Sequence, residues 1–505
     1  MTSTLEENTK FTEQELIRIN KLEELKKISI PPYPALEYKT TAVIGDIISH
    51  FSQYENKTVS IAGRVMSKRL MGRVAFVEIQ DLDNKIQLYI HLDSIKTNDN
   101  ADIYNVFVKK LLDIGDFIGV EGFIFKTKVG EITLHVQDIK LLSKSLSPLP
   151  AVKDDGEKIH FAFNNAEQKY RQRYLDLILN KNSREVFKKR THIIRFMRNY
   201  LDNCGYYEVE TPILQPIYGG ATARPFTTHH NTLNQELYLR ISNELYLKRL
   251  IIGGFEGVYE FAKDFRNEGM DRYHNPEFTQ VELYVAYKDY KWMMSFVKDL
   301  LQRLTKHICG NWKIKKEDGE EIDFSTFETY TMSEIIRKYT NLDIDTMSEE
   351  ALLSAAKKLN IDISSYASYG KIVDEIFSAQ CEKKLIQPTF ITDYPIEMSP
   401  LAKQKHNNPK LVERFELFIN GKECANAFSE LNDPLEQKKR FEEELKNRLK
   451  GDLEAMQMDD DFVKALMYGM PPTAGVGIGI DRLTMLLTNA KSIQDVILFP
   501  QMKTI

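Results

Sequence analysis

Apolar and polar residues alternate in five short segments between residues 58 and 142. Alternation with a period of two is typical of strands that bury one face. The predicted inward positions are Ile61, Val65, Ala75, Val77, Ile79, Ile86, Leu88, Ile90, Ile118, Val120, Ile124, Ile132, Leu134 and Val136. Five strands of this size are typical of a small OB-type barrel, which binds single-stranded nucleic acid on an exposed sheet face. We therefore predict an OB-fold barrel over residues 41–145.

A different spacing comes before the barrel. Leu16, Ile19, Leu22 and Leu25 recur at helical intervals among charged residues, which predicts one amphipathic helix over residues 11–29. Three prolines between residues 31 and 34 end this helix. We expect residues 1–40 to be an N-terminal helical extension that packs on the protein or lies in solvent.

The segment after the barrel is rich in residues that interrupt regular structure. Pro148, Pro150 and Gly156 mark residues 146–165 as a linker. Residues 166–505 are then long enough for a second domain with its own core.

The second domain contains two more alternating segments, 258–266 and 278–286, which are joined by a polar loop. One predicted sheet face carries Arg266, Gln280, Glu282 and Tyr284. Arginine binds phosphate through two parallel hydrogen bonds and stacks on bases. This face is therefore suited to a nucleoside triphosphate. Further along, residues 333–380 have mostly helical spacing and are predicted to be an insertion between strands.

Asn420 and Gly421 are the strongest short signal for a β-hairpin. With these two residues as the turn, Phe418 lies opposite Glu423 and Glu416 lies opposite Ala425, so the two glutamates become diagonal neighbours on one face. Two such carboxylates repel each other unless a hard cation lies between them. We predict a magnesium site there.

The second strand of this hairpin divides its side chains between the two faces of the sheet. On an uninterrupted strand, Asn426, Phe428 and Glu430 have the opposite parity to Glu423 and fall on the other face. A β-bulge near Cys424 and Ala425 would place all of them on one face.

Bulk properties exclude some classes of protein. The 505 residues are 42% hydrophobic and 28% charged, which are globular values. The net charge is −5, so a nucleic-acid partner requires a local basic face. No apolar segment approaches membrane-spanning length, and residues 1–10 resemble no targeting peptide. The four cysteines lack metal-site spacing, and we expect a reduced, cytoplasmic protein without a membrane partner.

Several ordered motifs resemble the class II aminoacyl-tRNA synthetases, and in detail the lysyl-tRNA synthetase family of subclass IIb. Residues 265–269 (Phe-Arg-Asn-Glu-Gly) and 274–278 (His-Asn-Pro-Glu-Phe) resemble motif 2. Residues 475–482 resemble motif 3, and a helix over 183–204 followed by residues 205–212 resembles motif 1. Residues 171–178 resemble the lead-in to the catalytic domain, and residues 219–226 resemble the loop that closes over the amino acid. The likeness runs from about residue 31 to the C-terminus.

The resemblance implies an OB-fold anticodon-binding domain followed by an antiparallel-sheet catalytic domain flanked by helices. It implies that ATP and L-lysine are substrates, that Mg²⁺ is the cofactor, and that tRNA(Lys) and a second copy of the chain are partners. Lysine is adenylated and then transferred to the 3′ end of the tRNA.

The resemblance also assigns the site residues. The catalytic residues are Arg266, Glu268 and Arg482. ATP is bound by Arg266, Asn267, Glu268, His274, Asn275, Phe278, Glu423, Cys424, Gly479, Ile480, Asp481 and Arg482. Lysine is bound by Gly220, Ala221, Glu244, Arg266, Glu282, Tyr284, Asn426, Phe428 and Glu430. The metal is held by Glu416 and Glu423, and the anticodon by Phe76, Gln87 and Glu131.

Individual roles follow from the same resemblance. Glu244 holds the α-amino group of lysine, and Glu430, with Tyr284 nearby, holds the ε-ammonium group. Phe278 lies under adenine with Arg482 above it, and Arg64, Lys68, Arg69 and Arg73 supply phosphate contacts for RNA. The family usually has tyrosine at the position of Phe428, so one hydroxyl contact is missing here.

Two alternatives remain open from the sequence. An aspartyl or asparaginyl enzyme has the same architecture, but the acidic Glu430 disfavours it, because an aspartate side chain requires a basic partner. A binding protein that kept the fold, or a paralogue that adenylates lysine for another acceptor, is the second alternative. The complete set Arg266, Glu268, Glu416, Glu423 and Arg482 favours an active enzyme, and the OB-like domain favours tRNA as acceptor.

Overall fold

The computed structural model describes residues 11–95, 103–150, 152–154, 159–161, 165–316, 319–363, 368–449 and 456–504. The predicted absence of a targeting peptide in residues 1–10 and the predicted linker residue Gly156 lie outside these ranges. The chain divides into two compact units, residues 1–165 and 166–505, each with its own hydrophobic core.

The first unit is built around a closed five-stranded barrel, as predicted. Its strand order is β1-β2-β3-β5-β4. The strands of this unit are Thr58–Met71 (β1), Val74–Gln80 (β2), Lys85–His91 (β3), Phe117–Lys126 (β4), Ile132–Ser143 (β5), and the short pair Val152–Asp154 (β6) and Ile159–Phe161 (β7). Every predicted inward residue is buried except Ile132, which is partly buried at the start of its strand.

Helices close the barrel. They are Glu13–Lys27 (α1), Ile44–Ser49 (α2), Phe51–Tyr54 (α3) and a π-helix over Ile103–Leu111. Helix α1 packs on the barrel through Leu25, which is fully buried, while Leu16 remains 49% exposed. An ion pair of 2.7 Å between Lys21 and Asp113 also joins α1 to this unit. Helix α1 therefore contacts the rest of the unit with one side of its last turns. The N-terminal extension is part of the first unit.

The second unit is built on an eight-stranded sheet of order β16-β17-β18-β19-β20-β13-β12-β8. Its strands are Tyr207–Glu208 (β8), Leu214–Gln215 (β9), Phe226–His230 (β10), Gln235–Leu239 (β11), Gly257–Phe265 (β12), Glu277–Ala286 (β13), Lys313–Lys315 (β14), Glu321–Asp323 (β15), Glu328–Thr331 (β16), Thr389–Thr392 (β17), Arg414–Ile419 (β18), Lys422–Ser429 (β19) and Thr473–Gly479 (β20). The β16–β17 and β12–β8 pairs are parallel, and the other pairs are antiparallel.

The α-helices of the second unit are Ala166–Arg171 (α4), Arg173–Leu179 (α5), Lys181–Asn203 (α6), Glu244–Ile252 (α7), Tyr290–Cys309 (α8), Met332–Thr340 (α9), Glu349–Lys358 (α10), Tyr369–Gln380 (α11), Pro434–Leu449 (α12), Asp460–Leu466 (α13), Ile480–Thr488 (α14) and Ile493–Val496 (α15). Helices α6, α8 and α14 bury one face of the sheet with Val281, Leu283 and Val285 of β13. The alternate side chains of β13 therefore face the opposite side, which carries the site. Helices α9 to α11 lie between β16 and β17, as predicted for residues 333–380, of which 364–367 lie outside the described ranges.

The hairpin of β18 and β19 contains the predicted bulge. Phe418 pairs with Glu423 as predicted, but Glu416 pairs with Asn426 rather than with Ala425. The predicted partner is wrong because Cys424 is an extra residue between the paired positions, which moves the register by one. Glu423 and Asn426 thereby reach the same side of the sheet.

Within the described part of the chain, no helix has both the length and the apolar surface that crossing a bilayer requires.

Candidate functional site

A cavity of about 390 Å³ lies in the second unit, on the face of the sheet opposite α6 and α8. Its walls are supplied by strands β13, β18, β19 and β20, by the loop between β9 and β10 and by the loop after β12. The predicted residues that line it are Gly220, Ala221, Glu244, Arg266, Glu268, His274, Asn275, Phe278, Glu282, Tyr284, Glu416, Glu423, Cys424, Asn426, Phe428, Gly479, Asp481 and Arg482. Residues from the whole length of the second unit thus meet around one space.

Three of the residues predicted to bind ATP or lysine lie outside this lining. Asn267 is exposed, and its backbone N–H donates to the carbonyl of Arg224 at 2.8 Å. The side chain of Ile480 is buried in the main core, so a contact with a ligand would come from its backbone. Glu430 follows β19 and lies beside the cavity.

The cationic end of the cavity is formed by two arginines. The Arg266 guanidinium lies 5.0 Å from the centre of the Phe278 ring. Arg482 donates to the backbone carbonyl of Glu423 at 2.9 Å and lies 3.2 Å from Nε2 of His274. Arg266 thus contacts the Phe278 ring, and Arg482 reaches Glu423 and His274. The predicted stacking of adenine between Phe278 and Arg482 remains a prediction. Both guanidinium groups line the cavity and are suited to phosphate oxygens.

A group of hydrogen-bonded side chains surrounds Glu282 on β13. Its carboxylate accepts hydrogen bonds from Ser242 at 3.0 Å, Gln280 at 2.7 Å and Tyr284 at 2.9 Å. Burial, together with the nearby charges of Asp264 and Glu244, raises the pKa of Glu282 to about 8. Since ionisation is costly here, this carboxylate favours any ligand that brings a positive charge.

A second buried group lies where α7 begins. Glu244 lines the cavity, and one of its oxygens accepts from Lys248 at 2.5 Å, one helical turn further on. Lys248 is also in ion-pair contact with Oε2 of Glu430. Neither oxygen of Glu430 makes a hydrogen bond of standard geometry, so its binding capacity is only partly used. The sequence analysis missed Lys248, although its i+4 spacing from Glu244 on a helix was a usable signal.

Two glycines make this packing possible. Gly220 has a φ of +86°, and a Cβ there would lie 2.8 Å from the Ser242 hydroxyl. A Cβ on Gly475 would lie 2.1 Å from Oε1 of Glu430 and 2.5 Å from the Tyr284 ring. Because real Cβ atoms do not approach so closely, Gly475 makes room for the side chains of Glu430 and Tyr284.

The predicted metal pair is Glu416 and Glu423. Glu416 forms an ion pair of 2.5 Å with Arg414, a partly buried residue that also donates to Asn426 at 3.1 Å. Burial raises the pKa of Glu416 to about 7, and the charge of Glu423 contributes in the same direction. Two oxygen ligands in mutual repulsion suit a hard cation. The described residues contain no cluster of three or more ligands, so substrate oxygens would complete the coordination.

The motif 1 segment exposes apolar side chains. Tyr207, Ile213 and Leu214 are 62%, 44% and 49% exposed, and they follow α6 directly. A group of exposed apolar residues on one segment is a signal for a protein interface. The resemblance of residues 183–212 to motif 1 implies that they form a two-fold contact with a second copy of the chain, which remains a prediction.

The first unit carries aromatic rings on the outer face of its barrel. Phe76, Tyr89 and His135 lie within 5.6 Å of a neighbouring ring, measured between centroids. Gln87 is on the same strand as Tyr89, and its side-chain amide donates to Thr133 at 3.0 Å. Glu131 is exposed at the turn before β5. Phe76 and Gln87 thus lie on a face that carries rings suited to base stacking.

The basic residues of this face are partly engaged elsewhere. Lys68 points inward and donates to the carbonyl of Leu112 at 2.5 Å. Arg64 donates to the carbonyl of Gly115 at 3.0 Å, and Arg73 is paired with Asp93. The predicted phosphate role is therefore wrong for Lys68, because its ammonium group caps carbonyls at the end of the π-helix. Arg69, 5.5 Å from the centre of the Phe76 ring, stays beside the aromatic face.

Comparison with known proteins gives matches over both units. Residues 165–503 match the family of class II tRNA synthetases (D, K and N), and residues 59–142 match the OB-fold nucleic acid binding domain. A lysine–tRNA ligase of Porphyromonas gingivalis (strain ATCC BAA-308 / W83) is 54% identical over 497 residues, which cover 98% of this chain and 86% of the relative. One of Christiangramia forsetii is 55% identical over 496 residues with the same coverage. A lysine–tRNA ligase of Azobacteroides pseudotrichonymphae is 54% identical over 496 residues, which cover 98% of this chain and 99% of the relative.

Proposed function

The chain belongs to the class II tRNA synthetases (D, K and N), and from this premise we propose how its cavity joins lysine to tRNA. The main support for this proposal is that one cavity is lined both by arginines suited to phosphate and by buried carboxylates suited to ammonium. ATP, lysine and tRNA are the substrates.

In the first step, an oxygen of the lysine carboxylate attacks the α-phosphorus of ATP. A new O–P bond forms, the bond to the β-phosphate oxygen breaks, and pyrophosphate leaves. The attacking carboxylate is already ionised at neutral pH, so no general base is needed. Arg266 and Arg482 hold the reactants together and neutralise the charge that develops on the phosphates. Phe278 supplies a ring on which adenine stacks.

Glu416 and Glu423 would hold magnesium together with phosphate oxygens of ATP. When bound there, the ion supplies charge neutralisation for the leaving pyrophosphate. The fit is supported by two facing carboxylates, of which Glu416 has a raised pKa through burial and the neighbouring charge of Glu423. Arg414 keeps the Glu416 side chain oriented.

Lysine is selected by the carboxylates at the other end of the cavity. Glu244 binds the α-amino group, and Glu430, with Tyr284 and Glu282 nearby, binds the ε-ammonium group. An uncharged analogue would leave these buried groups unpaired, which is a strong penalty. Asn426 and Phe428 fill the remaining wall.

In the second step, the terminal ribose 3′-hydroxyl of the tRNA attacks the lysyl carbonyl carbon. An ester bond forms, AMP leaves, and the hydroxyl proton is released. The OB-fold unit binds the tRNA, and we propose that Phe76, Gln87 and Glu131 contact its anticodon. We further propose a homodimer that works in the cytoplasm, which is supported by the exposed motif 1 residues and by four free cysteines.

The function is tested by ATP–pyrophosphate exchange with each amino acid in turn. We expect exchange with lysine that exceeds exchange with aspartate or asparagine by at least about a thousandfold, because a carboxylate pocket repels an acidic side chain. Charging of tRNA(Lys) should follow. Exchange with aspartate or asparagine in preference to lysine would reject the assignment.

A further inference from the structure

A buried lysine links the two carboxylates to which the proposed function assigns the ammonium groups of the substrate. Lys248 is wholly buried on α7. Its Nζ lies 2.5 Å from Oε1 of Glu244 and contacts Oε2 of Glu430. Glu244 and Glu430 are far apart in the sequence and on different elements, so Lys248 connects them directly.

The surroundings leave Lys248 few other partners. The rings of Phe428 and Phe462 lie 5.5 Å and 5.9 Å from its ammonium nitrogen, and no part of the side chain reaches solvent. A buried ammonium group is tolerated only when it is paired and hydrogen-bonded. Lys248 is therefore held as a cation by the two glutamates, and it holds them in turn.

Each glutamate keeps one oxygen that Lys248 does not occupy. Oε1 of Glu430 has no hydrogen-bond partner, and it lies on the side of Gly475, against which Tyr284 also packs. The Glu244 side chain lines the cavity while its Oε1 is bound by Lys248. We propose that Lys248 is a positioning residue for lysine selection, which binds one oxygen of each glutamate and leaves the other oxygen of each for the substrate. This inference rests on the proposed function.

The charges around the pair explain why such an anchor is needed. Burial raises the pKa of both Glu244 and Glu430, and Lys248 is the main group that counteracts this effect. Glu282 on β13 adds negative charge near Glu430, and Arg414 on β18 adds positive charge near Glu244. Without Lys248, the glutamates would bind protons more readily near neutral pH and bind substrate ammonium less well.

The test is the Lys248→Met variant of the full chain, assayed by pyrophosphate exchange with lysine and with norleucine between pH 6.5 and 9. We expect the kcat/KM for lysine to fall by about 30-fold or more, mainly through KM. The KM for ATP should stay within about twofold. The acid limb of the lysine profile should move to higher pH, because the glutamates lose the cation that lowers their pKa. The ratio of kcat/KM for lysine to kcat/KM for norleucine should fall.

Arg249→Met is the matched control. Arg249 is the next residue on α7 and pairs with Asp459 at 2.9 Å, away from the cavity lining. Its loss breaks an ion pair on the same helix, and the lysine KM and the acid limb should remain within about twofold of the unmodified protein. A folded Lys248→Met variant with an unchanged lysine KM and an unchanged acid limb would overturn the proposal.

A second comparison covers the case in which Lys248→Met does not fold. In the double variant Lys248→Met/Glu430→Gln, only Glu244 loses its charged partner, so the variant should fold more readily. It is measured against Glu430→Gln alone. Because Glu244 loses its anchor, the double variant should show a further rise of KM for lysine and norleucine alike. Equal KM values in the two would contradict the proposal. If the unmodified chain shows no lysine-dependent exchange, the proposed function itself fails, which is a distinct result.

Discussion

At the scale of residues, the site depends on carboxyl groups that are costly to bury. Glu282 is the clearest case, since its folded-state pKa of about 8 lies well above the ordinary value of 4.5. Between these values the folded chain binds a proton that the unfolded chain has released. Stability therefore falls as pH rises through this window. Residues kept for ligand binding at the expense of stability are common in active sites.

We predict that Glu282→Gln stabilises the fold in a pH-dependent way. The gain in the free energy of unfolding should be small at pH 5 and increase between pH 5 and pH 8. Above pH 8 it should reach the order of 2–4 kcal/mol, because each pKa unit corresponds to about 1.4 kcal/mol. Thermal or urea unfolding at several pH values measures it. Glu277→Gln, on the same strand but half exposed, is the control and should show little pH-dependent change. An equal gain at pH 5 and pH 9 would contradict the assigned pKa.

Some residue contacts could not be predicted from the sequence. Lys248 lies next to Arg249 on a short helix, and lysine side chains are usually exposed, so the sequence did not mark Lys248 as buried. Its partner Glu430 lies 182 positions further along the chain. The pairing depends on tertiary packing, and hydrophobic periodicity carries no information about it. By contrast, Arg266 and Glu282 were placed on one face by simple alternation.

At the scale of elements, the β18–β19 hairpin carries the proposed metal pair. We predict that Glu416→Gln and Glu423→Gln each raise the Mg²⁺ concentration needed for half-maximal adenylation several-fold, because a hard cation prefers carboxylate oxygen. In the unmodified protein this requirement should rise as the pH falls below about 7, where Glu416 becomes protonated. Glu413→Gln, just before β18, is the control. Unchanged Mg²⁺ titrations in both variants would remove the metal assignment.

The outer face of the barrel gives a second prediction at this scale. Phe76→Ala and Gln87→Ala should leave lysine-dependent pyrophosphate exchange intact and lower kcat/KM for tRNA charging. Loss of one stacked base, about 1–3 kcal/mol, corresponds to roughly 5- to 150-fold. Tyr33→Ala, at an exposed aromatic residue of the same unit outside the barrel strands, is the control. Parallel loss in both assays would show that these residues only support the fold.

Alternation predicted the barrel strands and the β12–β13 pair well because each strand buries one face. The π-helix over Ile103–Leu111 was not predicted, since it lies in an interval that the strand pattern leaves unassigned. Its apolar residues Tyr104, Phe107, Val108 and Leu111 pack under the barrel. The bulge was predicted only from a conflict between strand parity and family resemblance, because a period of two cannot locate an extra residue.

At the scale of the whole molecule, we predict a two-fold dimer. Light scattering at micromolar concentration should give about 117 kDa, twice the chain mass of 58.6 kDa. Ile213→Asp should weaken the dimer, because it places a charge among the exposed apolar residues that follow α6. Leu233→Asp, at a residue 65% exposed in the turn between β10 and β11, is the control and should stay dimeric. A fully active monomer would reject this prediction.

The bulge at Cys424 has a consequence for how the gene tolerates the loss of single codons. Removing codon 424 leaves a regular ladder, because Leu417 already pairs with the next residue, Ala425. Glu423, Asn426 and Phe428 would still face the cavity. Removing codon 425 gives almost the same strand, because Cys424 then pairs with Leu417 in place of Ala425. Removing codon 426 would take Asn426 out of the cavity, and removing codon 427 would turn either Asn426 or every later side chain of the strand to the opposite face. Among these neighbouring codons, selection should therefore accept the deletion of 424 or 425 far more readily than the deletion of 426 or 427.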